Sequence, residues 1–294
     1  MIPSRKNSSV PGCKNRSTFK RYSALTEHQV VVVEAKPPRR KDQTGRGKSD
    51  VIDATAAAMS LLSKDITKLL QPRDEGARAA LSILSASRAR IDAQRTANRN
   101  ALAALLRNYD LGTDARKPLS FLEIKQVSRW REHEADTIEQ KFARDEAKFL
   151  ATSIMVADQM LKENSRAMSE LDEQLAPELQ QVFGLGIVTT VWILMAYSHH
   201  GRVHSEAAFA ALAGVAPLQA SSGNHERHRL NRHGARQLNK ALDVVARTRM
   251  GHDEATKRYV EKRTAEGLSP KEIKRILKRY IARRINRQLQ VIMA

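Results

Sequence analysis

The sequence has a single cysteine, few aromatic residues and no long hydrophobic run. One cysteine, Cys13, cannot form an internal disulfide and excludes a cysteine-rich zinc site. Aromatic residues make up 4% of the chain, so base stacking is not expected to dominate binding to nucleic acid. The longest apolar run, Ile187 to Tyr197, is about half as long as a membrane-spanning helix. The N-terminus lacks the apolar core of a secretory signal. These absences favour a protein of a reducing cytoplasm, with no membrane partner.

Positive charge is abundant. Lys and Arg total 51 against 32 Asp and Glu, which gives a formal net charge of +19. A chain this basic needs a polyanionic partner or an anionic surface. Nucleic acid is the commoner partner, because contacts with its phosphates release bound counterions. The sequence therefore predicts binding to nucleic acid.

The first seventy residues divide into two segments. Residues 1–26 are basic and polar without periodicity, which predicts poor order. Residues 27–70 begin with a β-branched run, Gln29 to Ala35, that is typical of a buried strand. A basic loop follows, and then an Ala-rich helix is predicted from Ser49, its expected N-cap, to Leu62. We interpret residues 27–70 as part of an α/β domain.

Residues 71–176 are predicted to form long helices. Two heptad frames support this prediction, with polar residues at some core-type positions. The frames predict a coiled coil or an antiparallel helical hairpin, and leave open whether it is a spacer or a dimerisation arm. Gly112 and Pro118 fall in the break between them, and Ser120 is expected to cap the second helix. The first frame contains Leu81, Leu84, Arg88, Ile91, Arg95, Asn98, Leu102 and Leu105, and the second contains Ile154, Ala157, Leu161, Asn164, Met168, Leu171 and Leu175.

Residues 177–294 are predicted to form a mostly helical C-terminal domain. The run from Ile187 to Tyr197 fits a buried helix or a strand. Helices are predicted near 235–250 and from Pro270, with Ser269 as the cap of the latter. The fold class is therefore mainly α, with a partial α/β domain at the N-terminus. The last helix is expected to bury an apolar stripe composed of Ile273, Ile276, Leu277, Tyr280, Ile281 and Ile285.

Two carboxylates, Asp50 and Asp53, are three residues apart at the start of the first predicted helix. This spacing puts both on one helix face, where a hard cation such as Mg²⁺ would relieve their repulsion. Acidic residues also favour helix N-termini without binding any metal. From spacing alone, that second interpretation is the stronger one.

A serine pair is followed by a basic cluster. Ser221 and Ser222 precede Gly223, which predicts a tight turn. A serine nucleophile needs activation, and attack on a phosphodiester needs cations beside the phosphate oxygens. The arginines downstream could supply that charge. They are Arg227, Arg229, Arg232 and Arg236. From chemistry alone, a basic DNA-contact loop with incidental serines is the better interpretation.

Gly184 and Gly186 form part of the sequence VFGLGI. It is similar to the turn of helix-hairpin-helix units, whose glycines let backbone N–H groups approach phosphate. Two glycines fit a simple helix–helix turn equally well.

These motifs occur in a specific order. GKSDVIDA precedes a long helical insert, and VFGLGIVTT, FAALAGVAP, SSG, LNRHGARQLNKAL and EGLSPKEIKRILKRYIARRI follow. In this order the chain, from about Val30 to its end, resembles the insertion-sequence 110/116/902 family of transposases. The similarity is strongest from Leu179 to Leu289.

The resemblance implies a function and roles for residues. It implies a RuvC-like acidic domain, a coiled-coil insert and a C-terminal domain with a nucleophilic serine. Ser222 would form the covalent link to DNA, and Asp50 and Asp53 would bind Mg²⁺. It further implies recombination of a bacterial insertion sequence, assembly into dimers or tetramers, a structured guide RNA, and a nucleoid-associated protein of the bacterial cytoplasm.

The N-terminal part departs from the family pattern. The family's first two acidic ligands, an Asp and a Glu, have no counterpart here, and residues 1–19 match nothing in it. A truncated or frameshifted reading frame explains this pattern, and predicts weak Mg²⁺ binding and doubtful activity. The alternative function is therefore an inactive transposase remnant that only binds nucleic acid or oligomerises.

Overall fold

The computed structural model describes residues 28, 32–33, 50–62, 65, 69, 76–199, 202–219, 228–229 and 234–293. The chain divides into two compact units, residues 1–74 and 75–294.

In the first unit the described structure is chiefly one helix, α1, from Asp50 to Leu62. It coincides with the helix predicted from the Ala-rich segment. The predicted strand is not confirmed, because Val32 and Val33 are not part of a strand and the rest of that run lies outside the described residues. The partial α/β domain thus remains a prediction.

The described residues of the second unit are almost entirely helical, which confirms the mainly α class. Its helices are α2 (Gly76–Asn108), α3 (Phe121–Val127), α4 (Ile138–Leu175), a 3₁₀ turn (Pro177–Gln181), α5 (Ile187–Tyr197), α6 (Glu206–Leu212), α7 (Arg236–His252), α8 (Glu254–Ala265) and α9 (Pro270–Ile292). Two short strands, β1 (Leu218–Gln219) and β2 (His228–Arg229), pair antiparallel between α6 and α7.

The two long helices α2 and α4 pack against each other in opposite directions. Asn164 donates to the Leu84 carbonyl at 3.0 Å, and Arg95 pairs with Asp158 at 2.7 Å. Between these contacts Arg88 donates to the Leu161 carbonyl at 3.0 Å. The polar residues at core-type positions therefore bond across the helix pair and fix its register within one chain.

The break between the long helices is larger than predicted. Ser120 does cap a helix, through a reciprocal capping box with Glu123, but that helix is the seven-residue α3. The second long helix begins only at Ile138 and is capped by Thr137 with Gln140. The prediction that Ser120 caps the second long helix was therefore wrong.

Two hydrophobic cores stabilise the unit. The distal core joins α3 to α2 and α4 around Leu102, Ile124 and Ile154. The proximal core contains the C-terminal helices and also Leu81 of α2 and Met168 of α4. The base of the long helix pair is therefore part of the same core as the C-terminal helices.

The C-terminal helices bury apolar faces as their sequences predict, with one exception. The run Ile187–Tyr197 forms the largely buried helix α5, which resolves its helix-or-strand ambiguity. In α9, Ile273, Ile281 and Ile285 are buried, whereas Tyr280 is 54% exposed. Tyr280 contacts the ring of Tyr259 edge-on instead, so its placement in the buried stripe was wrong.

Within the part of the chain that the structure describes, no helix is long and apolar enough to cross a membrane.

Asp172, near the end of α4, is a fully buried carboxyl. Gln180 donates to one carboxyl oxygen at 2.5 Å, and the other has no hydrogen-bond partner among the described residues. Burial raises the pKa of this carboxyl, because removal from water disfavours its charged form.

We expect Asp172→Asn to stabilise the protein at about pH 7 relative to about pH 4. A carboxyl whose pKa is raised in the folded state favours folding below its unfolded pKa and loses that advantage as the pH rises through its folded pKa. Urea unfolding at the two pH values measures the effect. Glu170→Gln, at an exposed position in the same helix, is the control. An Asp172→Asn effect that does not change with pH would contradict the assignment.

Candidate nucleic-acid interface

The candidate serine lies in sequence between the two short strands. Leu218 pairs with Arg229 and Gln219 with His228, so residues 220–227 connect them. Ser222, Arg227 and Arg232 are all outside the described residues. The candidate Arg229 is in β2, and only its backbone is described. The structure describes the residues at the two ends of this serine-bearing segment. We call these residues, near Gly214 and Gly234, the base of the segment.

That base is a close contact between two glycines. A methyl group added at Gly234 would lie 2.5 Å from the backbone nitrogen of Gly214, a separation that side-chain carbons do not tolerate. Gly214 itself has φ of 67°, a conformation that favours glycine. Beside this contact, the Ala235 amide donates to the Leu212 carbonyl at 2.7 Å. The residues just after α6 and those just before α7 are thereby held together.

A buried lysine reinforces this base from α9. Asn239 of α7 donates to the Ala213 carbonyl at 2.7 Å, and its side-chain oxygen accepts from Lys278 Nζ at 2.7 Å. Lys278 is only 8% exposed, and burial lowers its pKa despite the nearby Asp243. No sequence pattern indicated a role for Lys278. Lys278 links α9 to the end of α6 through the side chain of Asn239.

Asp243 balances the charge of this cluster. Its carboxylate lies 3.2 Å from Lys274 Nζ, 3.5 Å from Lys278 Nζ and 3.1 Å from Arg247 Nε. Burial acts to raise the pKa of Asp243, but the hydrogen bond from Lys274 and the surrounding positive charges outweigh burial and lower it. One carboxylate thus faces three cations, and the cluster keeps a net positive charge.

The start of α7 is exposed and basic. Arg236 is the first helical residue and is exposed, and no acidic residue occupies the first turn. The N-cap residue, Ala235, has no polar side chain that could accept from the first-turn amides. One turn further, Lys240 lies over the Trp192 ring at 5.1 Å. Unpaired amides and cations at a helix N-terminus favour an anion.

Arg236 was predicted from the sequence, but Lys240 was not. The four-residue spacing between them, which puts both on one face of α7, was the available signal. We call Arg236 and Lys240 the α7 basic start.

The glycine turn precedes α5. Gly184 has φ of 87°, so a side chain there would be strained. Gly186 is the N-cap of α5, its amide donates to Thr189 Oγ1 at 2.9 Å, and a methyl group at Gly186 would meet nothing within 4 Å. Helical segments lie on either side of this turn, and the surface at Gly186 is open. These features fit a helix-hairpin-helix turn that binds phosphate and also a simple helix–helix turn.

Two arginines that no local sequence pattern indicates lie near this turn. Arg249 of α7 donates from Nε to the Phe183 carbonyl at 2.9 Å. Burial lowers the pKa of Arg249, and repulsion from Arg284 of α9 lowers it further. An anion bound near the turn would relieve this repulsion.

Asp50 and Asp53 both lie in the first turn of α1, and only their backbone is described. Among the side chains that the structure does describe, no group of three His, Cys, Asp or Glu residues is arranged to hold a metal ion.

Residues 176–261 match a protein family described as the transposase IS116/IS110/IS902 family. This part of the chain is therefore similar to transposases of that family. No curated protein sequence shows significant similarity to the chain.

The transposase match begins at the 3₁₀ turn and ends within α8, so it contains the glycine turn, both short strands and the α7 basic start. It stops before α9. The matched region nonetheless depends on α9, because Ile273, Ile281 and Ile285 of that helix complete its core and Lys278 donates to Asn239.

We expect Gly234→Ala to lower the free energy of unfolding by about 1–3 kcal/mol, because the added carbon forces two backbone segments apart. Thermal and urea unfolding measure the loss. Gly251→Ala is the matched control, since a methyl group there meets nothing within 4 Å and alanine is favoured in a helix by up to about 1 kcal/mol. Equal stability of the two variants would contradict the glycine contact.

Proposed function

We propose that this protein is an insertion-sequence transposase that cleaves and rejoins DNA through Ser222. One observation carries the proposal. The segment containing Ser222 joins a pair of strands whose base is fixed, through Gly214 and Gly234, beside the exposed basic start of α7. The family match supports the coarser statement, that the region belongs to transposases of insertion sequences.

The proposed reaction is a transesterification. The Ser222 hydroxyl gives up its proton, and its oxygen forms a bond to the phosphorus of a DNA phosphodiester. The bond from phosphorus to one bridging deoxyribose oxygen breaks, and that oxygen leaves as a hydroxyl after taking a proton. A second DNA hydroxyl then displaces the serine and joins the new strand. The number of phosphoester bonds is unchanged, so no external energy source is needed.

The α7 basic start would hold the DNA backbone. Arg236 and Lys240 present cations, and the first-turn amides of α7 present donors to phosphate oxygens. Arg227, Arg229 and Arg232 would add charge from the serine-bearing segment. Gly184 and Gly186 would receive a second phosphate, with Arg249 and Arg284 beside them. Throughout residues 176–294, Lys and Arg outnumber Asp and Glu more than two to one, which suits a polyanion.

Asp50 and Asp53 are the proposed ligands for Mg²⁺. Proteins commonly hold this ion with one or two carboxylates together with phosphate oxygens of the substrate, and two carboxylates three residues apart on α1 suit that pattern. Bound there, Mg²⁺ would supply positive charge to a DNA phosphate. We further propose a structured guide RNA and a homo-oligomer as partners, in keeping with the family resemblance.

Ser222→Ala should abolish a covalent protein–DNA adduct on a nicked DNA substrate carrying the element's end, because the attacking oxygen is removed. Ser221→Ala should retain the adduct. Denaturing gel electrophoresis of labelled DNA measures it, and circular dichroism checks that both variants fold. An adduct with Ser222→Ala would refute the role of this serine.

Arg236→Gln should weaken DNA binding and reduce the slope of log affinity against log salt by about one, because one phosphate contact is lost. Arg166→Gln, at an exposed position in α4, serves as the control and should leave the slope unchanged. Fluorescence anisotropy at several salt concentrations measures both. Equal slopes for the wild type and Arg236→Gln would rule out this contact.

A second candidate function is binding without cleavage. The departure of the N-terminal sequence from the family's acidic pattern favours it, because Asp50 and Asp53 alone would hold Mg²⁺ weakly. In that case the wild type binds DNA with the same salt dependence but forms no adduct in Mg²⁺. The adduct experiment therefore separates the two functions.

A further inference from the structure

A pocket of about 320 Å³ lies at the distal end of the long helix pair. One wall is the last part of α2, and the other is the segment that connects α2 to α3, residues 109–120. The volume of this pocket is within the range of small-molecule binding sites, roughly 300–1,000 Å³. We call it the distal pocket.

The distal pocket is lined by cations. They are Arg99, Arg107, Arg116 and Lys117. Within the described residues 76–199, no Asp or Glu side chain lines the pocket. Asp114, which lies nearby, pairs with Arg116 at 2.9 Å and neutralises that arginine only. The pocket therefore has an excess of positive charge, which favours an anionic ligand.

Three of these cations are available to a ligand. The side chains of Arg107 and Lys117 are exposed and make no hydrogen bond or ion pair with any residue that the structure describes. Arg99 donates from Nη2 to the Leu119 carbonyl at 2.7 Å, which uses one of the five N–H donors of its guanidinium group. A ligand can therefore bind to all three without breaking an ion pair.

Folding fixes the two walls of the distal pocket. Arg99, Ala103 and Arg107 follow each other at four-residue spacing, so they lie on one face of α2. The small side chain of Ala103 leaves space between the two arginines. The opposite wall is held in place because Ala115 and Leu119 are buried in the distal core. The pocket is therefore formed before a ligand binds, which lowers the entropy cost of binding.

The distal pocket also has an apolar part. Leu102, Pro118 and Ile124 line it, so a ligand that fills it needs an apolar group as well as negative charge. Arginine side chains bind phosphate oxygens through paired N–H donors. A nucleotide joins phosphate to a base whose flat face packs on apolar side chains. An inorganic anion would leave the apolar lining unused.

We propose that the distal pocket binds a nucleotide, with its phosphates on Arg99, Arg107 and Lys117 and its base on the apolar lining. The nucleotide is either free in solution or one unit of a single strand, because both have the same chemistry. Arg99 is eighteen residues beyond Leu81 along α2, a distance of about 27 Å, and Leu81 belongs to the proximal core. The distal pocket is therefore separate from the α7 basic start, and this inference does not rest on the proposed function.

Isothermal titration calorimetry of nuclease-treated full chain with ATP in EDTA, at about 0.15 M salt, should show saturable binding. The double variant Arg107→Gln with Lys117→Gln should weaken binding by about 10-fold or more, because two charge-assisted hydrogen bonds are lost. Lys162→Gln with Arg166→Gln removes the same charge at exposed positions in α4 and should leave the affinity for ATP unchanged.

Ala103→Met tests the shape of the distal pocket without changing its charge. The longer side chain fills the space between Arg99 and Arg107, and methionine is well accepted in a helix. Nucleotide binding should therefore be lost while the thermal unfolding midpoint is retained. Ala101→Met, at an exposed position in the same helix, is the control and should bind nucleotide as the wild type does.

Two further ligands define the source and class of the ligand. A short fluorescent oligothymidine is titrated with the same variants by anisotropy. A loss with Ala103→Met that affects oligothymidine alone assigns the pocket to a single strand, whereas a loss that affects ATP, alone or together with oligothymidine, assigns it to a free nucleotide. Inorganic pyrophosphate should bind more weakly than ATP, because it lacks a base, and equal affinities would contradict the nucleotide assignment.

If Ala103→Met binds both ATP and oligothymidine as Ala101→Met does, the proposal is overturned. None of these measurements depends on Ser222. Loss of the Ser222 adduct with intact nucleotide binding would contradict the proposed chemistry and leave this site standing. The converse result would do the opposite.

Discussion

The contact between Gly214 and Gly234 is the constraint on which the candidate site depends. It lets the backbone leaving α6 and the backbone entering α7 touch without an intervening side chain. The paired strands, the Asn239 bond to the Ala213 carbonyl and the placement of Arg236 all follow from this closure. The chain therefore leaves the end of α6 and returns to the start of α7 at nearly the same point. The proposed serine lies in the segment between these two glycines.

The long helix pair and the C-terminal helices are mechanically coupled through the proximal core. Leu81 and Met168, both from the long helices, are buried among residues of α5, α7 and α9. Polar bonds at the seam, such as that between Arg95 and Asp158, hold the two long helices in one register. The distal core around Ile124 then closes the far end. The helical pair and the C-terminal helices therefore share one continuous core.

Local patterns predicted the helices well, because they depend on periodicity and caps that lie close in sequence. Ser269 before Pro270 and the apolar spacing of α9 are examples, and Asp50–Leu62 is another. The failures came where tertiary packing decides. Ser120 caps α3, which at seven residues is too short for its sequence to distinguish it from the following long helix. Tyr280 has the spacing of the buried residues of α9, but its ring is exposed and packs against the ring of Tyr259.

The candidate site was predictable only in part. The order of the motifs indicated the family resemblance, and one of these motifs contains Arg236. Motif order could not reveal the contact between Gly214 and Gly234, because twenty residues separate them. The hydrogen bond from Lys278 to Asn239 was hidden in the same way, because these residues are thirty-nine positions apart. Arg249 and Arg284 were missed for the same reason, because their proximity exists only after α7 and α9 pack.

The rigid mounting of the long helices has a geometric consequence. With 38 residues, α4 is about 57 Å long, and its base cannot swivel without opening a core. It is a rigid extension, so anything bound at its outer end lies at a constant distance from the C-terminal helices of the same unit. Inserting or deleting residues in the long helix pair would change that distance by about 1.5 Å per residue and rotate the outer end by about 100° per residue.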